Sequence, residues 1–326
     1  KKQNMKKKSL SAKKTIHKLL FKHLDNNRIN KIFKSFKDSL KNENNIKNRI
    51  GIAISGGPDS LALAYFAKCY SLINKLDARF FIVDHRLRKE SSIEAKSVKI
   101  FLEKFDINCK ILKWIGKKPK TNIQGVARNN RYSLLKKACL NHNIGHLLIG
   151  HHADDLYENF FIRLLRGSGL RGLSSFGEVI EDEQQNISIL RPLIKINKKD
   201  LINILKKVFQ FFINDPSNQN FDFQRIRIRK FISNLNKEGL NKKKLKLTIR
   251  NLKSANNALN FYTKKNINEN AKFIKKTNIY ILNELFFSQS EEVIFRSISL
   301  VLQKISGRYY SPRGKSILDL IFKIRS

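Results

Sequence analysis

Short, nearly continuous apolar runs recur through the middle of the chain: IGIAI at 50–54, RFFIV at 79–83, NCKILK at 108–113 and HLLI at 146–149. Runs this short, without polar alternation, fit strands buried on both faces. Between them apolar residues take the three-to-four spacing of helices, over about 59–75, 91–105, 122–141 and 153–166. Strands separated by helices predict an α/β fold built on a doubly wound parallel sheet. After about residue 213 the pattern changes to long Lys- and Asn-rich helical segments, such as 242–264 and 291–305. The expected organisation is a basic helical N-terminal extension over 1–48, an α/β domain over 49–213 and a helical domain over 214–326.

Open α/β sheets bind ligands beyond the carboxyl ends of their strands. The sequence puts SGGPDS (55–60) after the first run, DHRLR (84–88) after the second and GHHADD (150–155) after the fourth. In the first of these, Gly56 and Gly57 permit a tight turn and close backbone approach. Pro58 suits a first helical position, and the loop amides with the hydroxyls of Ser55 and Ser60 make an anion site. No lysine is present to reach a terminal phosphate, which argues against γ-phosphate transfer. Asp59 would repel a bare phosphate, so a bridging Mg²⁺ is expected there. Such a loop suits pyrophosphate held as a leaving group while the α-phosphate is attacked; the plainer alternative is a Gly-rich turn capped by serine.

Charge adds a partner class. The chain of 326 residues carries a formal net charge of +40. Residues 1–49 hold 16 Lys/Arg against 3 Asp/Glu, residues 221–326 hold 23 against 7, and residues 50–220 hold 27 against 16. An AT-rich genome inflates lysine, yet the excess sits in the flanks, which points to nucleic acid. Three cysteines, Cys69, Cys109 and Cys139, are widely spaced within apolar patterns. They read as buried free thiols in a reducing cytoplasm, with no metal or cluster spacing. No run approaches the ~20 apolar residues of a membrane span, and the basic start lacks the apolar core of a secretory signal.

SGGPDS resembles the PP-loop of N-type ATP pyrophosphatases. VDHRLRKES (83–91), NIQGVARNNRY (122–132), GHHADDLYEN (150–159), RLLRGSGLRGL (163–173), RPLI (191–194) and DPSN (215–218) follow in order. Together, over about 50–230, they resemble the tRNA(Ile)-lysidine synthetase family, RLLRGSGLRGL being the most family-specific string. The resemblance implies ATP-dependent ligation of L-lysine to C2 of the wobble cytidine in an isoleucine tRNA with a CAU anticodon. An adenylated cytidine is the intermediate, and AMP and pyrophosphate are released. It makes 49–213 a PP-loop catalytic domain and 214–326 a tRNA-binding domain. The implied ATP-binding residues are Ser55, Gly56, Gly57, Pro58, Asp59, Ser60, His85, Arg128, Gly150 and His151.

Asp59, Arg128 and Asp155 are the candidate catalytic groups, Asp59 also being the candidate Mg²⁺ ligand. Asp155 and Glu158, three apart and so on one helical face, are implied to bind lysine; a solvated acidic helix start is the alternative, and Asp154 competes with Asp155 to point inward. His151 and His152 share the same ambiguity. Gln124, Arg128 and Arg131 share a helix. Arg163 and Arg166 precede a Gly-Ser-Gly break and are expected to face RNA or substrate. Arg225, Arg227 and Arg229 in FQRIRIRKF would form one row on phosphate if extended, a stripe that dissolves if the segment is helical. Asn159, Ile226 and Lys230 depart from the family's Thr, Asn and His. A homodimer is compatible with the sequence. A PP-loop tRNA thiolase, which the missing CxxC disfavours, and a non-catalytic RNA-binding protein on the same fold are the alternatives.

Overall fold

The computed structural model describes residues 2–41, 46, 48–88, 90–116, 119, 121, 123–177, 179–182, 186–213, 224–307 and 311–325. The string DPSN (215–218) lies outside them. The chain divides into two compact units, Lys1–Ile162 with Phe176–Gly239, and Arg163–Ser175 with Leu240–Ser326.

The first unit is built on a six-stranded sheet. Its strands are β1 (Arg49–Ile54), β2 (Asp77–Asp84), β3 (Cys109–Lys113), β4 (His146–Leu148), β5 (Val179–Asp182) and β6 (Ile187–Leu190), in the order β3-β2-β1-β4-β6-β5. Five are parallel and β5 closes one edge antiparallel to β6. The four strands expected from sequence are present. The β5–β6 hairpin was not expected, because its short apolar stretches flank an acidic and amide-rich run.

Side-chain alternation explains the two-sided core. Ile52, Ile54, Phe80, Ile82 and Leu148 point to one face and join a cluster with α3 (Pro58–Asn74), α4 (Ser91–Glu103) and α8 (Lys198–Val208). Phe81, Leu147, Ile149, Ile187 and Ile189 point to the other, against Leu135, Ala138 and Cys139 of α5 (Ile123–Asn141). Helix α3 is apolar nearly all round, with Leu61, Leu63, Tyr65 and Phe66 fully buried, as a helix enclosed by its neighbours should be.

The N-terminal segment is helical, as α1 (Lys2–Lys22) and α2 (Asn27–Lys41), and its apolar residues belong to the main core. Ile29, Phe33, Phe36 and Leu40 repeat at helical spacing, and Phe33 and Phe36 pack on Phe66 at 5.7 Å. Asp106 ties α1 down, meeting Lys68 at 2.8 Å, His17 at 2.9 Å and Lys13 at 3.2 Å. Burial alone would raise the Asp106 pKa; the hydrogen bonds of Lys68, His17 and Lys13 instead bring it down to about 2.

Helix α9 (Gln224–Lys237) also belongs to the first unit, so the division falls near residue 239 rather than 213. Ile228 is buried and Phe231 meets Phe161 edge-on at 5.7 Å, which fixes α9 against α6 (Ala153–Leu164).

The second unit holds α7 (Leu170–Leu173), α10 (Lys242–Asn270), the hairpin β7–β8 (Ala271–Ile274, Ile279–Leu282), α11 (Glu291–Ser306) and α12 (Gly314–Arg325). Asn241 caps α10 by accepting from the Lys244 amide at 2.9 Å. Ile267, Phe286, Ile294, Ile298, Val301, Ile317 and Ile321 form its core. RLLRGSGLRGL contributes α7 to this unit instead of extending the first. No helix among the described residues is long and apolar enough to cross a membrane.

If α2 is part of the main core, Phe36→Ala should destabilise the first unit by about 3–5 kcal/mol. Urea unfolding followed by circular dichroism measures this; a loss below about 1 kcal/mol would show that α2 is dispensable.

Candidate active site

The chain leaves β1 at Ile54 and enters α3 at Pro58, leaving Ser55, Gly56 and Gly57 to make the turn. Gly56 has φ +85°, and a Cβ there would stand 2.7 Å from Val98 Cγ2. Ser60 closes the loop from inside: its Oγ donates to the Gly57 carbonyl at 3.0 Å and accepts from the Ser55 amide at 3.1 Å. The Ile213 amide holds the Gly56 carbonyl at 3.0 Å from outside. The remaining amides and the N-terminal dipole of α3 are thereby presented as an anion cradle.

The loop after β4 rests directly on this turn. A Cβ on Gly150 would lie 3.0–3.1 Å from the Ser60 amide nitrogen and the Asp59 carbonyl group, so backbone meets backbone. The next residues resolve the sequence ambiguity. His152 is 2 % exposed and its Nδ1 accepts the Asp154 amide at 3.2 Å. Its Nε2 therefore carries the proton, and it lies 3.3 Å from Asp59 Oδ2 and 3.6 Å from Asp155 Oδ2. Burial lowers the His152 pKa, but the Asp59 hydrogen bond and both carboxylate charges more than offset it, and the net direction is up. A second proton on Nδ1 would displace the Asp154 amide, which opposes that rise. Asp155, not Asp154, lines the cavity; its Oδ2 accepts the His152 amide at 3.0 Å.

His151 lines the cavity too. Its Nδ1 accepts Arg191 Nε–H at 3.2 Å, and Phe176 packs edge-on at 5.4 Å. Burial, with a smaller push from Arg191, lowers its pKa to about 3, so the ring is neutral and Nε2–H is a donor. Arg191 is 2 % exposed, donates Nη1 to the Gly177 carbonyl at 2.7 Å and lies 4.2 Å over the Phe176 ring. Burial brings its pKa down to about 10.

These loops enclose a cavity of about 220 Å³. Ser55, Gly57, Asp59, Ser60, Gly150, His151 and Asp155 line one part, and Arg128, Arg131 and Arg225 bring positive charge to the rest. Arg128 lies 5.0 Å and Arg131 5.7 Å from the Tyr132 ring centre, so both guanidinium groups pack on that ring. Asp59 Oδ1 is buried with no hydrogen-bond partner among the described residues. A carboxylate oxygen left so in a phosphate-sized cavity fits a divalent cation.

Other expected site residues lie elsewhere. Gly56 and Pro58 shape the loop without lining the cavity, and His85 stands just beyond the end of β2, its Nδ1 buried without a partner among the described residues. Glu158 is 2 % exposed and accepts from Nε and Nη2 of Arg229, Nη2 reaching Oε2 at 3.4 Å. Burial raises its pKa, against the pull of Arg229. Because α9 is helical, the three arginines do not form one row. Arg225 lies 3.8 Å from Asp155, Arg229 pairs with Glu158, and Arg227 points to another, exposed face. Arg163 and Arg166 belong to the second unit. Sequence reasoning named Arg131 without a role, assigned Arg225 to tRNA, and missed Tyr132 and Arg191 as parts of this site. RPLI and the helix around Arg128 carried the signal, but only the fold shows which arginines converge.

Residues 24–236 match the family model of the PP-loop domain. Over 187 residues the chain is 42% identical to the tRNA(Ile)-lysidine synthase of Orientia tsutsugamushi, covering 57% of this chain and 42% of that protein. The tRNA(Ile)-lysidine synthase of Wolbachia pipientis wMel is 31% identical over 279 residues, 85% of this chain and 64% of its own length. The chain thus spans less than two thirds of either relative. Among solved structures, the U34-tRNA thiolase NcsA of Methanococcus maripaludis superposes with a TM-score of 0.58 at 16% identity, covering 82% of this chain and 87% of that one, a likeness of fold.

Two outcomes follow from the geometry. Gly150→Ala should weaken ATP binding about tenfold or more while leaving the fold intact, because backbone atoms cannot yield to the added methyl as a flexible side chain could; calorimetric titration with ATP reads it. His151 is neutral when folded and titrates near 6.5 when unfolded, so its stabilisation is present above pH 6.5 and is lost as pH falls toward 3. The loss is at most about 1.4 kcal/mol per pH unit. Denaturation of wild type against His151→Gln at pH 7 and pH 5 checks the sign: wild type should lose more on acidification.

Proposed function

The chain belongs to the PP-loop domain family, which implies ATP binding, and on that premise we propose that it ligates L-lysine to C2 of the wobble cytidine in an isoleucine tRNA with a CAU anticodon. The observation that carries the reading is the lysine-free phosphate cradle set against Asp59, Asp155 and three arginines in one cavity. The similarity to two tRNA(Ile)-lysidine synthases supports the choice of substrates.

In this reading the cytidine O2 attacks the α-phosphorus of ATP, the bond to the β-phosphate oxygen breaks, and pyrophosphate leaves into the Ser55–Ser60 cradle. Arg128, Arg131 and Arg225 offset the charge that builds on the phosphoryl oxygens, and the His151 Nε2–H adds a neutral donor. Asp59 Oδ1 would hold Mg²⁺, which supplies further charge neutralisation to the phosphates. The ε-amine of lysine then attacks C2 and the C2–O bond to AMP breaks. The attacking amine must shed a proton, and in this reading Asp155, a buried carboxylate lining the cavity, takes it. Glu158 and Arg229 do not line this cavity but form a pair of opposite charges, Glu158 standing about one turn along α6 from Asp155. A zwitterionic amino acid suits such a pair, its ammonium exchanging onto Glu158 and its carboxylate onto Arg229.

The thiolase alternative requires reactive or cluster-binding thiols. Cys69, Cys109 and Cys139 are buried in separate elements, and burial pushes all three thiols up to about 12. Unbridged thiols suit the cytoplasm. A purely RNA-binding role leaves the cradle and its buried carboxylate unexplained.

The assay is ATP- and Mg²⁺-dependent incorporation of radiolabelled lysine into an isoleucine tRNA transcript with a CAU anticodon, beside a control synthetase on the same transcript. Wild type should incorporate lysine, and Asp59→Asn should lose about 10²-fold or more. Tight transcript binding without incorporation would overturn the ligase reading. Arg229→Gln should raise KM for lysine about tenfold with a smaller change in KM for ATP; equal changes in both would remove Arg229 from the amino-acid site.

A further inference from the structure

The second unit contains a cavity of about 190 Å³ lined by Arg171, Asn260, Thr263, Lys264, Arg296 and Leu300. Three of the six are cations, and no carboxylate among the described residues lines it. Arg171 sits on α7 within RLLRGSGLRGL, Asn260, Thr263 and Lys264 on α10, and Arg296 on α11, so three elements converge. This gives the Gly-Ser-Gly turn a structural purpose: it returns the chain so that Arg171 stands beside α10 and α11.

Arg296 is the informative residue. It is only 3 % exposed, an unusual place for a guanidinium. Its Nε donates to Glu292 at 2.7 Å, and Nη1 donates to Asn256 Oδ1 at 2.7 Å and Asn260 Oδ1 at 3.1 Å. These bonds fix the plane of the group. Nη2 is buried and has no hydrogen-bond partner among the described residues. A buried donor of this kind is costly to leave unmet, and natural structures seldom do so without an ion, a water or a ligand. Arg171 and Lys264 are exposed at the rim and make no ion pair with a described carboxylate.

We propose that this cavity is a phosphate-binding subsite, in which Arg296 Nη2–H donates to a phosphoryl oxygen and Arg171 and Lys264 neutralise the same group. A rigid fork with Nε and Nη1 spent on positioning and Nη2 left over, flanked by two exposed cations, is an arrangement that recognises a tetrahedral oxyanion. An apolar ligand would leave the Nη2–H unmet, and a cation would be repelled. The phosphate can come from an RNA backbone or from a small phosphate in solution, and one set of measurements separates the two. The site does not depend on the lysine-transfer reading; it can bind phosphate whether or not the first unit is a ligase.

Arg171→Gln and Lys264→Gln are surface changes that should leave folding intact, whereas Arg296→Met tests the buried donor and must be checked for a native circular dichroism spectrum. Lys315→Gln, an exposed lysine on α12, controls for the loss of any one charge. Dissociation constants for the tRNA transcript are measured by filter binding from 50 to 300 mM salt, and the melting temperature is followed with and without inorganic phosphate. For an RNA phosphate, Arg171→Gln and Lys264→Gln should each weaken transcript binding about three- to tenfold and reduce the salt slope by about 1, with Lys315→Gln changing neither as much. For a small phosphate, inorganic phosphate should raise the wild-type melting temperature and fail to do so in the same two variants, with transcript binding unchanged. If the variants match Lys315→Gln in transcript affinity and salt slope, and phosphate protects all proteins equally, the proposal is wrong.

Discussion

The site depends on two loops meeting at backbone distance. The turn after β1 and the turn after β4 come from neighbouring strands, and Gly150 lets the second lie against Asp59 and Ser60 with no side chain between them. His152 then bridges the loops through its single Nε2 proton, between Asp59 and Asp155. A side chain at position 150 would press on the backbone of Asp59 and Ser60 and shift the two turns relative to one another. The sheet, its two-sided core and the apolar helix α3 hold that junction rigid.

Charge around the junction is balanced in a way that makes sense only with an anionic ligand. Arg128, Arg131 and Arg225 reach the cavity, and Arg191 lies buried behind His151 with its pKa lowered to about 10. Gathering guanidinium groups in a partly desolvated place is unfavourable, and aromatic faces, a carbonyl and a neutral histidine moderate it without cancelling it. Triphosphate would complete the balance. The same principle operates on a smaller scale in the second unit, where Arg296 keeps one buried donor unmet.

Much of this was legible in the sequence, for identifiable reasons. Strands β1, β2 and β4 bury residues on both faces, so they read as short apolar runs, and the loops that follow them announced the site. SGGPDS showed the cradle because turn glycines and helix-capping serines have local causes. The N-terminal helices carried a legible stripe, Ile29, Phe33, Phe36 and Leu40, but their high charge suggested an extension and hid how deeply they enter the core. Arg225, Arg227 and Arg229 could be assigned only once α9 was known to be a helix, since period two has meaning on a strand alone. The arginines at the site arrive from α5, α9 and the segment after β6, and Arg171 meets Arg296 through chain reversal; sequence spacing records none of these long-range meetings.

In the proposed reaction the cradle holds pyrophosphate while the cytidine oxygen attacks the α-phosphate. Its most direct test is an isoleucine tRNA whose wobble cytidine carries ¹⁸O at O2, converted in one turnover with ATP and lysine. The label should appear in the phosphate of AMP, and pyrophosphate should carry none. Label in pyrophosphate or inorganic phosphate, or label released as water with unlabelled AMP, would contradict it.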